Sequence, residues 1–234
     1  MTDMTRSPVR VHGHIDAPLN RWLWLVKWFL ALPHLLVLVA LWIAVVVLTL
    51  VAGVSIAFTG RYPRQIFDFN LGVLRWSWRV DFYAFTLGTD RYPPFSMQAC
   101  DDYPARLDID YPEHLSRGLV WVKWWLLAIP HYFVVALFAG GAQMGSGLTG
   151  VLALIAGVTL AVTTTYPASI FDFIMGMHRW TWRVVAYAGL MRDEYPPFRL
   201  DTGPDEPDAL APTSPASPSG PHAAGGPPSP PLPA

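Results

Sequence analysis

The sequence predicts an all-α integral membrane protein of two tandem repeats, each a transmembrane helical hairpin followed by an amphipathic aromatic and arginine-rich helix, with short extramembrane strands. Three observations carry that fold class. Of the 234 residues, 53% are hydrophobic and only 14% charged, against about 25% charged in soluble domains. The charges are also missing in long runs. No Asp, Glu, Lys or Arg occurs in the 33 residues 28–60 or in the 48 residues 124–171, whereas one bilayer crossing needs about 20 apolar residues. Finally, the chain is written twice. LALPH at 30–34 recurs as LAIPH at 127–131, YPRQIFDFNLGVLRWSWRV from Tyr62 recurs as YPASIFDFIMGMHRWTWRV from Tyr166, and DRYPPF from Asp90 recurs as DEYPPF from Asp193.

Residues 1–20 form an N-terminal extramembrane segment, 21–97 the first membrane repeat, 98–116 a polar linker, 117–200 the second repeat and 201–234 a tail. Alternating runs before each repeat, VRVHGHI at 9–15 and ARLDIDY at 105–111, predict one short strand apiece. His12 and His14 share a face of the first, but two ligands without a third make no metal site. In repeat two, the glycine-rich segment 139–150 separates apolar arms at 119–138 and 148–165 and predicts a turn. Repeat one should follow the same plan with arms at 22–40 and 43–58, although no turn residue stands between them. The competing arrangement is one tilted span per repeat plus a separate return helix.

Basic residues flank the arms of repeat one, Arg21 and Lys27 before and Arg61, Arg64, Arg75, Arg79 and Arg91 after, and the corresponding set in repeat two includes Arg117, Lys123, Arg179 and Arg183. The positive-inside tendency then asks that each repeat cross an even number of times. Four spans with both termini in the cytoplasm satisfy it. Pro33-His34 and Pro130-His131 lie inside the first arms, where proline removes an amide donor and kinks a helix. A metal site is not expected there, since each histidine lacks a neighbouring Cys or carboxylate.

The most specific pattern is the helix after each hairpin. At 3.6 residues per turn, Asp68, Gly72, Arg75 and Arg79 fall on one strip, and repeat two reproduces it with Asp172, Gly176, Arg179 and Arg183. Aromatics flank the strip, among them Trp76 and Trp78, and Trp180 and Trp182 in the second copy. Two arginines among indoles suit the headgroup zone, with guanidinium groups reaching lipid phosphate; turned inward, the two strips would instead form an anion site between the halves. Asn70, Ser77 and Asp81 lie on the far face, opposite Ile174, Thr181 and Val185 of the second copy, so polarity there is not part of the shared pattern. The tail has acids but no Lys or Arg and is dense in proline, which predicts disorder with a Pro-x-x-Pro series able to engage a protein partner.

The repeated LAIPH, YPxxIFDFxxGxxRWxWRV and YPPF motifs resemble a bacterial family of integral membrane proteins, the domain-of-unknown-function family numbered 4389. The resemblance spans nearly all of residues 8–200. It implies a duplicated module in the bacterial plasma membrane and implies no activity. The Thr164-Thr165 pair of copy two stands where copy one has Gly60-Arg61, so the basic residues there are not a shared feature.

The balance of 16 basic and 17 acidic residues offers nothing to nucleic acid, and Cys100, the only cysteine, excludes an internal disulfide or a Cys-based cofactor site. Phosphate loops, nucleophile elbows and paired acid–base carboxylates do not occur, so no catalytic residue, cofactor or metal is expected. The expected function is a non-enzymatic membrane module for lipid interaction or protein assembly, with membrane lipids as partners. The alternative is a small transporter or channel with its site between the repeats.

Overall fold

The computed structural model describes residues 7–139 and 147–203. The expectations for the proline-rich tail beyond 203, and for most of the glycine-rich segment, lie outside the described residues. In chain order come strand β1 (Val9–Gly13), helices α1 (Trp24–Thr59) and α2 (Arg64–Ala84), strand β2 (Ala105–Ile109), and helices α3 (Ile129–Ala139), α4 (Leu148–Thr163) and α5 (Ala168–Ala188).

The hairpin expected in repeat one is corrected: α1 is a single helix of 36 residues. Between 40 and 43 the chain has no glycine or proline to end the hydrogen-bond ladder, so leucine and tryptophan carry it through, with Pro33 inside. At Gly60 the backbone turns left-handed (φ 72°), and its amide closes the last turn onto Ile56. Repeat two divides its counterpart into α3 and α4, on either side of 140–146.

A second difference is one extra residue. Lys27 and Pro33 are six positions apart, Lys123 and Pro130 seven. A π turn at Lys123–Leu127 absorbs it: Leu127 donates to the Val122 carbonyl at 3.2 Å and Ala128 to Lys123 at 3.1 Å, each reaching five residues back. A single π turn is how a helix takes up one residue without losing its downstream register. It delivers Pro130 into the first turn of α3, where its missing amide leaves no gap.

The strands pair antiparallel with Val11 opposite Leu107. These two are equivalent residues of the two repeats, so a pseudo-two-fold axis passes between them, perpendicular to the ribbon. Each strand reaches across it: β1, which precedes repeat one, lies on α5, while β2 lies on α2. The result is three layers. The ribbon covers one face of α2 and α5, and α1 with α3–α4 covers the other. Within the middle layer Phe82 meets Phe171 and Trp78 meets Trp182, so α2 and α5 run head to tail. The outer helices do the same. Trp24 at the start of α1 lies against Gly157 of α4, and Val120 lies against Gly53 near the end of α1. The small pairs Ala52-Gly53 and Ala156-Gly157 admit these contacts.

Candidate functional site

Three side-chain ties occur in both repeats and set the frame. Lys27, almost fully buried, reaches Asp90 at 2.8 Å and donates to the Thr89 carbonyl at 2.8 Å. Lys123 likewise pairs with Asp193 at 2.6 Å and donates to the Arg192 carbonyl. Each ammonium lies over a tyrosine, Tyr83 or Tyr187. His34 and His131, fully buried, accept a hydrogen bond at Nδ1 from the indoles of Trp76 and Trp180 at 3.1 Å, and stack on Phe95 and Phe198 of the YPPF segments. The proline–histidine pairs therefore pack, and α1 continues through Pro33. No cluster of three metal-ligating side chains occurs among the described residues.

The arginines form the third tie. Arg75 donates to the Leu107 carbonyl and pairs with Asp108 on β2; Arg79 donates to the carbonyls of Gln98 and Ser96. Their counterparts follow suit: Arg179 donates to the carbonyls of Val11 and Asp201, and Arg183 pairs with Asp201 at 2.7 Å. A charged donor on a carbonyl is stronger than a neutral one. Each strip thus clips the other repeat's strand and its own post-YPPF segment onto the helix. Gly72 is needed for this, since a Cβ there would lie 2.8 Å from Met97 Cβ. Asp68 stands outside the clip, exposed and paired with Arg64 at 3.1 Å; Asp172 is half-buried.

The expected headgroup role of these side chains is corrected by burial. Arg79, Arg179 and Arg183 are 5% exposed or less, and Trp76, Trp78, Trp180 and Trp182 are 8% exposed or less. Protein carbonyls and carboxylates take the place of lipid phosphate. The strips do not face each other either: both face the ribbon. Among the described tryptophans, Trp22, Trp28 and Trp121 are at least half exposed, at the starts of the two apolar runs.

What the repeats enclose between them is different. α1 meets α4 at Trp24 and the turn before α3 at Gly53, and between these contacts it parts from α3 and α4, leaving a groove floored by α2 and α5. One half, a cavity of about 710 Å³, has Asn70, Leu74 and Val185 in its floor; the other, about 990 Å³, has Ser77, Asp81, His178 and Thr181. Trp42 and Val46 line both halves. Both volumes fall in the range of small-molecule sites, about 300–1,000 Å³.

Asp81 Oδ2 lies 3.1 Å from His178 Nδ1, and His178 Nε2 lies 3.0 Å from the Thr86 hydroxyl. Burial pushes the Asp81 carboxyl above its ordinary range, opposed by the His178 charge, and holds the imidazole below its own, opposed by Asp81. Carboxylate, imidazole and hydroxyl in this order are the parts of an acyl-transfer relay, but Thr86 is fully buried and does not line the cavity. The chemistry available to the groove is hydrogen bonding from its polar floor. Asn70 adds to it: its amide donates to Tyr62 and Thr49, leaving Oδ1 buried and without a partner.

Asn70, Ser77 and Asp81 are the residues that sequence reasoning set aside, because copy two has Ile174, Thr181 and Val185 there, and His178, which stands where copy one has Leu74, was not singled out. The signal was that very difference between copies.

A family model described as Domain of unknown function (DUF4389) matches residues 21–97 and 119–199. No curated protein and no solved structure matches the chain.

Proposed function

We propose, for a chain that belongs to the DUF4389 family in two tandem copies, a non-enzymatic lipid-interaction module seated in one side of a membrane. The single observation that carries it is the apolar layer left exposed among the described residues. α1 is long and apolar enough to cross a membrane, and residues along its whole length, from Phe29 to Phe58, leave large apolar side chains exposed, as do Phe133 of α3 and Val162 of α4. Contiguous apolar surface on this scale marks a membrane or partner face.

The layering supports helices lying along the membrane plane. α1 extends about 54 Å at 1.5 Å per residue, well beyond about 30 Å of hydrocarbon. The Trp42 indole bonds Ser77 at 3.1 Å, placing mid-α1 over mid-α2, and the ribbon lies on the opposite side of α2. Were α1 to cross, the ribbon's Arg10–Asp110 and Arg75–Asp108 pairs would sit at mid-bilayer depth, where ionised groups are costly. With the pseudo-two-fold along the membrane normal, the ribbon and YPPF segments stay in water and the α1/α3–α4 layer enters the lipid. Both ends of each apolar run then share one side with zero crossings, which meets the even-number condition set by the flanking charges.

Single cysteines at Ser7, Ser96 and Gly147, after Cys100→Ala, test this with an impermeant maleimide on intact and lysed cells. In-plane seating predicts membrane-fraction recovery and no labelling of any site from outside. Labelling of Gly147 alone from outside would overturn in-plane seating and put the α3–α4 pair of repeat two across the membrane, and recovery in the soluble fraction would remove the membrane reading altogether. The groove lies between the repeats, where the transport alternative would place its site; substrate-dependent flux into proteoliposomes would favour that alternative.

A further inference from the structure

We propose that the groove between the repeats binds a neutral lipid carrying a hydroxyl headgroup, a long-chain alcohol or monoacylglycerol-type molecule, with its hydroxyl donating to the Asp81 carboxyl group and its chain lying past Trp42 and Val46. The inference rests on the membrane seat proposed above, because the groove parts the two helices of the lipid-facing layer and its occupant enters from the hydrocarbon. Its walls are mainly apolar side chains of α1, joined by Tyr132 and Val135 of α3 beside the smaller cavity and by Thr149 and Gly150 of α4 beside the larger, a lining that suits a chain.

The floor selects the headgroup. Asp81 is a quarter exposed at its side chain, and one oxygen is taken by His178, leaving the other carboxyl oxygen as an acceptor beside the larger cavity. Asn70 Oδ1 is a second acceptor, beside the smaller one. No Lys or Arg lines either half among the described residues. A phosphate or carboxylate head would meet a carboxyl group with no cation to offset its desolvation. A hydroxyl satisfies the acceptor without bringing charge into the site. At the pseudo-symmetric places Val185 stands for Asp81 and Leu74 for His178, so the smaller half lacks the carboxyl–imidazole pair and offers only the buried Asn70 Oδ1, and the more exposed Asp81 sets the end that the headgroup takes.

The test uses the full chain in phosphatidylcholine liposomes with two photoreactive probes: a sixteen-carbon alcohol carrying a mid-chain diazirine, and the methyl ether of the same molecule. Peptide mapping after illumination reads adducts in the groove segments of α1 and α5. Alcohol labelling is expected to exceed ether labelling roughly tenfold, the worth of one hydrogen bond in an apolar site. Asp81→Val with His178→Leu installs the residues of the equivalent positions in the other copy. That variant should keep its helical circular dichroism and co-float with liposomes while its two probes label alike. Serine at the same place, Asp81→Ser with His178→Leu, retains an acceptor and should recover part of the preference. Equal labelling of the wild type by both probes would overturn the headgroup assignment yet leave a lipid groove standing. Labelling confined to outward residues of α1 would overturn the groove as a binding site, and failure to co-float would overturn the membrane seat itself.

Discussion

The two repeats agree where the chain is tied together and differ where it encloses space. Lys27–Asp90 and Lys123–Asp193, His34–Trp76 and His131–Trp180, and the arginine clips recur with nearly the same geometry. Copy two keeps this even though its apolar run carries an extra residue before the proline and seven more between the proline and Tyr166; the π turn takes up the first. Asp81, Asn70 and His178, by contrast, occur once. The duplicated residues build a frame that tolerates no change of register, and the unduplicated ones line the groove where the frame leaves freedom. A difference between copies is therefore a better pointer to the groove than their agreement.

Single-residue deletions attack this comparison hardest. Removing Phe29 from copy one rotates everything downstream by about 100° relative to Lys27, separating the lysine and histidine ties. No folded protein should be recovered in membranes. Removing Leu126 from copy two restores the six-residue spacing by converting the π turn to α, and should change the midpoint of thermal unfolding in detergent little. Comparable losses for both deletions would mean that the π turn is not a register device.

A milder contrast comes from the equivalent arginines. Arg179→Met leaves the carbonyls of Val11 and Asp201 buried without their charged donor and should cost about 3 kcal/mol. Arg75→Met, whose partner Asp108 is 42% exposed at its side chain, should cost about 1 kcal/mol, because water replaces the lost partner. Denaturant unfolding of the two variants in one detergent checks the ordering.

The smallest expected effect sits at the caps. α1 ends on Gly60 and α4 on Thr164, both left-handed, with φ 72° and 62°. A β-branched residue pays steric strain in that conformation that glycine does not. Thr164→Gly should therefore stabilise by about 1 kcal/mol and Gly60→Thr destabilise by a similar amount, read as opposite shifts in thermal midpoint.

The helices after each apolar run were legible to within a few residues, and so were both strands, because their periodicities are local. The turn in copy one was not: symmetry with the glycine-rich segment of copy two suggested a hairpin that residues 40–43 do not support. The arginine and tryptophan strips were correctly placed on one helix face and wrongly assigned to lipid, since a cationic aromatic face has the same pattern whether carbonyls or phosphates receive it. Lys27 and Asp90 were read as flanking charge and punctuation, and their pairing across 62 intervening residues has no sequence signal except that it occurs twice.

What the sequence determined by itself was a duplicated, largely helical chain with two long apolar runs, and membership of the family that both copies match. Those features follow from composition and from periodicities that act over a few residues. The tertiary structure alone decided that each strand crosses to the other repeat, that the outer helices lie head to tail, and that Asp81 meets His178 across the pseudo-two-fold axis. Such contacts depend on the relative placement of helices about 100 residues apart in the chain, and nothing in either helix's own pattern records which face its partner will take.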